Sequence, residues 1–178
     1  MMKSNRTIQF RITATLISGA LLGTTLLAQA GAPKMATGSH SFIRESGVES
    51  LAFQAVEHAD GTVTGQAHNA LRDGNTLVFH SHLRFDCMHF LDDHTVLLTG
   101  VDVWDSDLAF VGDTVAVIVR DNGEGRNAPP DTRTTVYYST DAGIELSCDV
   151  VVSLIEEGLY DFEADLSVSE TGNIQVKP

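Results

Sequence analysis

Two histidines and a carboxylate on one predicted strand are the side chains in this sequence best spaced to bind a metal ion. His80 and His82 are separated by a single residue, so on a strand both imidazoles project from the same face, about 7 Å apart at the backbone. Asp86 lies further along that face. Imidazole and carboxylate are ligands for zinc and copper, so the row predicts a metal site made of His80, His82 and Asp86. The alternative is a solvent-facing polar row that binds nothing.

A second group of possible ligands lies in the loop of residues 121–131. Its oxygen-bearing side chains include Asp121, Asn122, Glu124 and Asp131, and calcium takes oxygen ligands. The spacing does not fit the twelve-residue EF-hand loop. The same residue types are also common in any long connection between strands, so calcium binding and a plain loop are both open.

Motifs of hydrolytic enzymes do not occur in the sequence. It contains neither a G-x-S-x-G elbow nor H-E-x-x-H, and the G-x-G-x-x-A match at residues 123–128 is followed by two prolines instead of opening a helix. The sequence therefore identifies no catalytic residue and favours a protein that is not an enzyme. A catalytic set dispersed along the chain would leave no such motif.

The one tryptophan, Trp104, stands among three acids, Asp102, Asp105 and Asp107. An exposed ring in such a setting could stack on a sugar or a cation. We favour the alternative, in which the ring closes one end of the core, because burying a tryptophan removes much apolar surface from water.

The elements that must position these residues are short strands. Apolar runs with period-two alternation recur roughly every ten residues between Gly, Asp and Asn. Asp60-Gly61 and Asp73-Gly74 predict tight hairpin turns. The predicted strands are residues 48–58, 62–71, 75–90, 94–104, 113–121, 132–140, 143–154 and 173–176.

This pattern predicts an all-β fold in which an antiparallel meander of about eight strands closes into a small barrel, with a β-sandwich as the alternative. In the strand at 75–90, apolar side chains occupy odd positions, so the histidines face solvent and Cys87 faces the core. The strand at 113–121 is apolar on nearly both faces, which predicts a central place in the sheet. Residues 156–165 lack alternation and predict a helical turn or loop.

The first thirty residues have the features of a signal peptide. Three basic residues precede an uncharged stretch at 12–28, and Ala28-Gln29-Ala30 offers a cleavage site. A retained membrane anchor is the alternative, although the stretch is at the lower length limit for crossing a bilayer. We expect export to an extracellular or periplasmic location, a flexible segment at 31–40, a domain at 41–178 and no transmembrane segment after processing.

Charge excludes some partners. The chain has 11 basic and 24 acidic residues; removing the three basic residues of the first thirty leaves 8 − 24 = −16. A protein this acidic is not expected to bind nucleic acid through its phosphates.

Cys87 and Cys148 are the only cysteines, separated by 61 residues. In an oxidising compartment they are expected to form one disulfide, the alternative being two free buried thiols.

Several of these features together resemble a group of small exported bacterial proteins of unassigned function. The shared features are F-x-A-x-x-H-x-D-G-T-V-x-G at 53–65, D-N-G-E-G-x-N-A-P-P-D at 121–131, two cysteines, and a closing G-N-I-Q-V at 172–176. The resemblance covers nearly all of the chain after the signal peptide. It implies a single exported all-β domain and supplies no activity, cofactor or catalytic residue.

The expected function is therefore a non-catalytic binding, envelope-associated or structural β-barrel module, whose partner is a small ligand or an envelope component. The alternative is a metal-dependent enzyme or metal-binding protein that uses His80 and His82 with a nearby carboxylate. No cofactor is expected under the first hypothesis, whereas zinc, copper or calcium would be bound under the second.

Overall fold

The computed structural model describes residues 32–124 and 127–178. The expected signal peptide, residues 1–30, lies outside this part of the chain. The elements are, in chain order, β1 (Lys34–Arg44), β2 (Gly47–Glu57), β3 (Val63–Asp73), β4 (Thr76–Phe90), β5 (Thr95–Asp105), β6 (Thr114–Arg120), β7 (Thr132–Arg133), β8 (Tyr137–Tyr138), α1 (Ser139–Ala142), α2 (Cys148–Glu156), a 3-10 helix (Phe162–Asp165), β9 (Ser167–Val168) and β10 (Thr171–Lys177).

The strands form one antiparallel sheet that curls into a half-barrel. The first six strands are sequential neighbours, β10 pairs with β1, and the short β7 and β8 both pair with β6. The predicted all-β meander is thereby confirmed. The strand count is ten instead of about eight, partly because the run at 132–140 is divided between β7 and β8.

Two parts of the predicted organisation are wrong. The flexible segment expected at 31–40 is instead mostly part of β1, which spans Lys34–Arg44 and pairs with both β2 and β10. The predicted strand at 143–154 is largely replaced by α2. Ser147 caps this helix, because its side chain accepts a hydrogen bond from the backbone N–H of Val150. None of the helices in the described residues is long and apolar enough to cross a membrane.

Each face of the sheet has its own apolar cluster. The inner face buries Leu51, Phe53 and Phe85, which pack with residues of the other long strands. On the outer face, α2 covers Leu97 and Ile118. Strands β5 and β6 are therefore buried on both sides, as the two-sided apolar pattern of β6 predicted.

The disulfide between Cys87 and Cys148 is formed and ties α2 to β4. It lies on the outer side of the sheet with the helix, and not across the inner core. The reason is a register shift between Phe85 and Cys87, which reverses the alternation so that Met88 is the buried inner residue after Phe85. Gly100 lies opposite, where a Cβ atom would be 1.9 Å from the carbonyl oxygen of Arg84.

Two aspartate carboxylates join β10 to the loop that follows β6. The backbone N–H groups of Ile174 and Val176 point away from β1, and they donate to Asp131 Oδ2 and Asp121 Oδ2 at 2.6 and 3.1 Å. Asp131 Oδ1 also accepts from the backbone N–H of Asn122. These contacts satisfy donors that an edge strand would otherwise expose.

We predict that Asp131→Ala lowers the free energy of unfolding by about 3 kcal/mol, because it removes two hydrogen bonds to a buried charged group. Urea denaturation measures this change. Glu124→Ala is the control from the same loop: its side chain is exposed, so we expect a change below about 0.5 kcal/mol. Equal effects of the two substitutions would contradict a closing role for Asp131.

Candidate functional site

Three histidines converge on the outer face of the sheet. His68 on β3 is the cross-strand partner of His82 on β4, and His80 lies two residues before His82 on the same strand. Residues paired directly across antiparallel strands project from the same face, so all three imidazoles occupy one patch. Hydrogen-bonded strands fix the backbone at each position.

One of the distances between the imidazoles equals that of a metal-ligand pair, and the third ring is near. One nitrogen from each of His68, His80 and His82 lies within 4.8 Å of the others. The Nε2 atoms of His80 and His82 are 3.3 Å apart. Two nitrogens bound tetrahedrally to one ion, with bonds of about 2.0–2.1 Å, are separated by about 3.3–3.4 Å. His80 and His82 therefore already have the required spacing, and the His68 ring must approach by at most roughly 1.5 Å.

Trp104 borders this histidine cluster. Its ring centroid lies 5.0 Å from that of His80 and 5.2 Å from that of His82. The indole is 48% exposed, so the expectation that it closes the core is wrong. The reason is a register shift opposite His82 and Leu83, which leaves Val103 and Trp104 both on the outside.

The protonation state of His82 favours metal binding. Desolvation, followed by the influence of the neighbouring His68 and His80, lowers its pKa. A lowered pKa keeps the imidazole neutral nearer to acidic pH, and the neutral ring is the form that binds a metal.

The remaining predicted ligands are elsewhere. Asp86 lines a hollow beside the disulfide, with Thr99 and Glu145, and does not belong to the histidine cluster. Its place is taken by His68, which the sequence analysis missed. A signal existed, because His68 lies on the strand before His80 and His82, but using it required the hairpin register.

Of the predicted calcium ligands Asp121, Asn122, Glu124 and Asp131, the three acids bond to β10 and Asn122 donates to the Pro130 carbonyl within the loop. Within the described residues their oxygens do not come together as the histidine nitrogens do. Asp121 and Asp131 accept hydrogen bonds from the backbone of β10, and Glu124 Oε1 accepts from the side-chain amides of Asn173 and Gln175. The Oδ2 atoms of Asp121 and Asp131 and the Oε1 atom of Glu124 therefore connect this loop to β10.

A pair of buried acids lies behind the cluster, on the inner side of the sheet. Asp102 and Asp105 are each 1% exposed. Burial, then the hydrogen bond that protonated Asp102 donates to Asp105 and the charge of Asp105, raises the pKa of Asp102 to about 7. The Oδ2 atoms of both acids have no other partner in the described residues. One proton shared between them satisfies both atoms.

Comparisons of the chain with protein-family models, with curated proteins and with solved structures find no match. Function is therefore inferred from the geometry and chemistry of the side chains.

The acid pair predicts a pH-dependent stability. The folded chain keeps a proton on Asp102 up to about pH 7, whereas the unfolded chain releases it near the ordinary value of 3.8. The folded state thus binds more protons between these values, and this group's contribution to stability falls as pH rises through them. The Asp102→Asn variant lacks this titration. We therefore expect its free energy of unfolding, relative to that of the native chain, to rise by about 2 kcal/mol between pH 5 and pH 8.

Urea denaturation of both proteins at the two pH values tests this prediction. Burial, and then the charge of Arg133, lowers the pKa of His40 to about 4, so His40 also makes stability depend on pH. His40 titrates in both proteins, so the difference between their free energies of unfolding reports on Asp102. Asp107→Asn, at a nearby exposed acid, should show no pH-dependent difference. A variant whose advantage is the same at both pH values would rule out the shared proton.

Proposed function

We propose that this protein is an exported, non-catalytic binding module whose ligand is a transition-metal ion held by His68, His80 and His82. The observation that carries the proposal is the placement of three imidazole nitrogens within 4.8 Å of one another on a hydrogen-bonded sheet. Ligands held on rigid strands need little reorganisation, and a low cost of ordering strengthens binding.

The Nε2 atoms of His80 and His82 lie within hydrogen-bonding distance of each other, so the neutral rings can share one N–H, and a metal ion would take the place of that hydrogen. Three imidazoles this close repel one another when charged. A metal ion removes this repulsion, because it accepts a lone pair from each neutral ring.

The chemistry of the donors selects the metal class. An all-imidazole set suits Zn²⁺ and Cu²⁺, whereas Ca²⁺ and Mg²⁺ require oxygen ligands. His68 is exposed and His80 and His82 are only partly buried, so a fourth ligand can be water. Three histidines and one water is also the ligand set of some zinc enzymes, and this open position is the feature that favours the metal-dependent enzyme as the second candidate.

Two features support export. The disulfide Cys87–Cys148 is of a kind that persists in oxidising compartments, and the sequence begins with basic residues followed by an uncharged stretch. Isolation of the protein from cell fractions, with sequencing of its N-terminus, tests export and cleavage after Ala30 together.

Calorimetric titration of tag-free protein with Zn²⁺ and with Cu²⁺ tests the metal site. We expect one ion per chain with a dissociation constant in the micromolar range or below. His68→Gln and His82→Gln should each weaken binding at least about tenfold, since loss of one of three ligands removes a coordinate bond. Affinity should also fall from pH 7.5 to pH 5, because protons compete for the imidazoles.

Two histidines outside the cluster provide matched controls. His58 bonds to Thr64, and His94 follows the β4–β5 turn, so His58→Gln and His94→Gln should leave affinity unchanged. Trp104 gives an independent signal, since Cu²⁺ bound beside the indole should quench its fluorescence. Binding that is absent, or that all four substitutions weaken equally, would overturn the proposal. Hydrolysis of an ester substrate that depends on Zn²⁺ and on His82 would instead favour the enzyme.

A further inference from the structure

The histidine cluster lies on a face of the sheet whose charge is opposite to that of the whole chain, which has 24 acidic and 11 basic residues. Apart from the histidines, the charged side chains that face outward from β2, β3 and the part of β4 up to residue 84, all of them described residues, are two arginines, Arg72 and Arg84. Of the acids in these strands, Glu49 is on the inner face, and Glu57 and Asp73 are the last residues of their strands. The surroundings of the cluster are therefore positive in an otherwise acidic protein.

Arg84 is the cation next to the histidine cluster. It follows His82 by two residues on β4 and so projects from the same face, about 7 Å further along the strand. Its side chain is exposed, and no ion pair joins it to an acid within the part of the chain that the structure describes. Its cross-strand partner on β3 is Gln66, which is exposed as well. The guanidinium is therefore available to an anionic group.

An indole borders one side of the cluster and a methyl group the other. Trp104 is the β5 neighbour of His82, whereas the β2 neighbour of His68 is the exposed Ala52. A methyl group is too short to reach over an imidazole. A molecule of a few atoms can therefore approach the cluster above β2 and β3, and from there it can reach Arg84.

A metal ion in the cluster creates a need for an anion. A divalent ion bound to neutral imidazoles adds two positive charges near the single charge of Arg84, and like charges repel unless an anion lies between them. A metal–oxygen bond of about 2.0–2.2 Å and a charge-assisted hydrogen bond of about 2.7–2.9 Å, with an oxyanion between them, suit the separation of about 7 Å between His82 and Arg84 on the strand. A dianion offsets two of the three positive charges, whereas a monoanion offsets one.

We propose that the metal-loaded cluster binds a small oxyanion with two negative charges, the chemistry of a phosphate group, as the fourth ligand of the ion. One oxygen replaces the water on the metal, and a second oxygen accepts a hydrogen bond from the guanidinium of Arg84. This inference rests on the proposed metal site and assigns a ligand to its open position.

Absorption spectroscopy of the Cu²⁺-loaded mature chain tests the oxyanion site. The visible absorption of bound Cu²⁺ changes when an anion replaces water, so a titration at pH 7.5 and constant ionic strength, with protein in excess over Cu²⁺, follows the exchange. The probes are inorganic phosphate, which is mostly a dianion at this pH, and acetate. We expect a saturable change with phosphate in the millimolar range or below. Acetate should bind at least about fivefold more weakly, because it has one negative charge fewer.

Two substitutions remove the same charge at different places. Arg84→Gln should weaken phosphate binding at least about fivefold, because it removes a charge-assisted hydrogen bond, and it should not weaken Cu²⁺ binding. Lys177→Gln is the matched control, because Lys177 lies on β10, three strands away from β3 in the sheet. This variant should bind both phosphate and Cu²⁺ as the native chain does.

The outcomes separate the oxyanion site from the metal site. A chain that binds no Cu²⁺ overturns both proposals. If Cu²⁺ binds but phosphate leaves its spectrum unchanged, or binds equally to the native chain and to Arg84→Gln, the metal site stands and the oxyanion site is wrong. Equal affinities for phosphate and acetate would contradict a dianion as the ligand.

Discussion

Register shifts at the paired edges of β4 determine which side chains face each side of the sheet. Between Leu71 and Arg72 the pairing with β4 moves by one residue. Without that shift, His68 would be opposite Ser81, an inner-face residue. With it, His68 is opposite His82 and all three imidazoles lie outside. Because side chains alternate with period two, a one-residue change in pairing decides whether the cluster exists.

Two register shifts in the β4–β5 pairing decide in the same way which side of the sheet Trp104, the acid pair and Cys87 face. The one opposite His82 puts Trp104 outside and leaves Asp102 and Asp105 within. The one after Phe85 turns Cys87 towards α2. A regular ladder would instead place the sulfur in the inner core, as the alternation of the strand predicted. Bulges thus allow a single strand to serve the core, the histidine cluster and the disulfide.

Much of the sheet could be predicted, because strands β2 to β4 carry strong alternation, β6 is apolar on both faces, and Gly61 and Gly74 mark two of the turns. Bulges could not, since they depend on the packing of two strands and leave no local pattern. The helix at residues 148–156 could not be predicted from the local sequence either. Consecutive valines favour a strand locally, yet the outer face of β5 and β6 needs a cover, and a capped helix tied down by Cys148 provides it. Tertiary burial outweighs the local preference.

The most distinctive sequence segments are structural ones. The loop at 121–131 and the strand end at 172–176 bond to each other through Asp121, Asp131 and Glu124. Their spacing is constrained because carboxylates must meet the backbone of an edge strand. The histidine cluster has the opposite character, with imidazoles from two strands and no contiguous motif. Its geometry follows from strand pairing, so the residues that hold β10 in place and the residues of the proposed metal site are different ones.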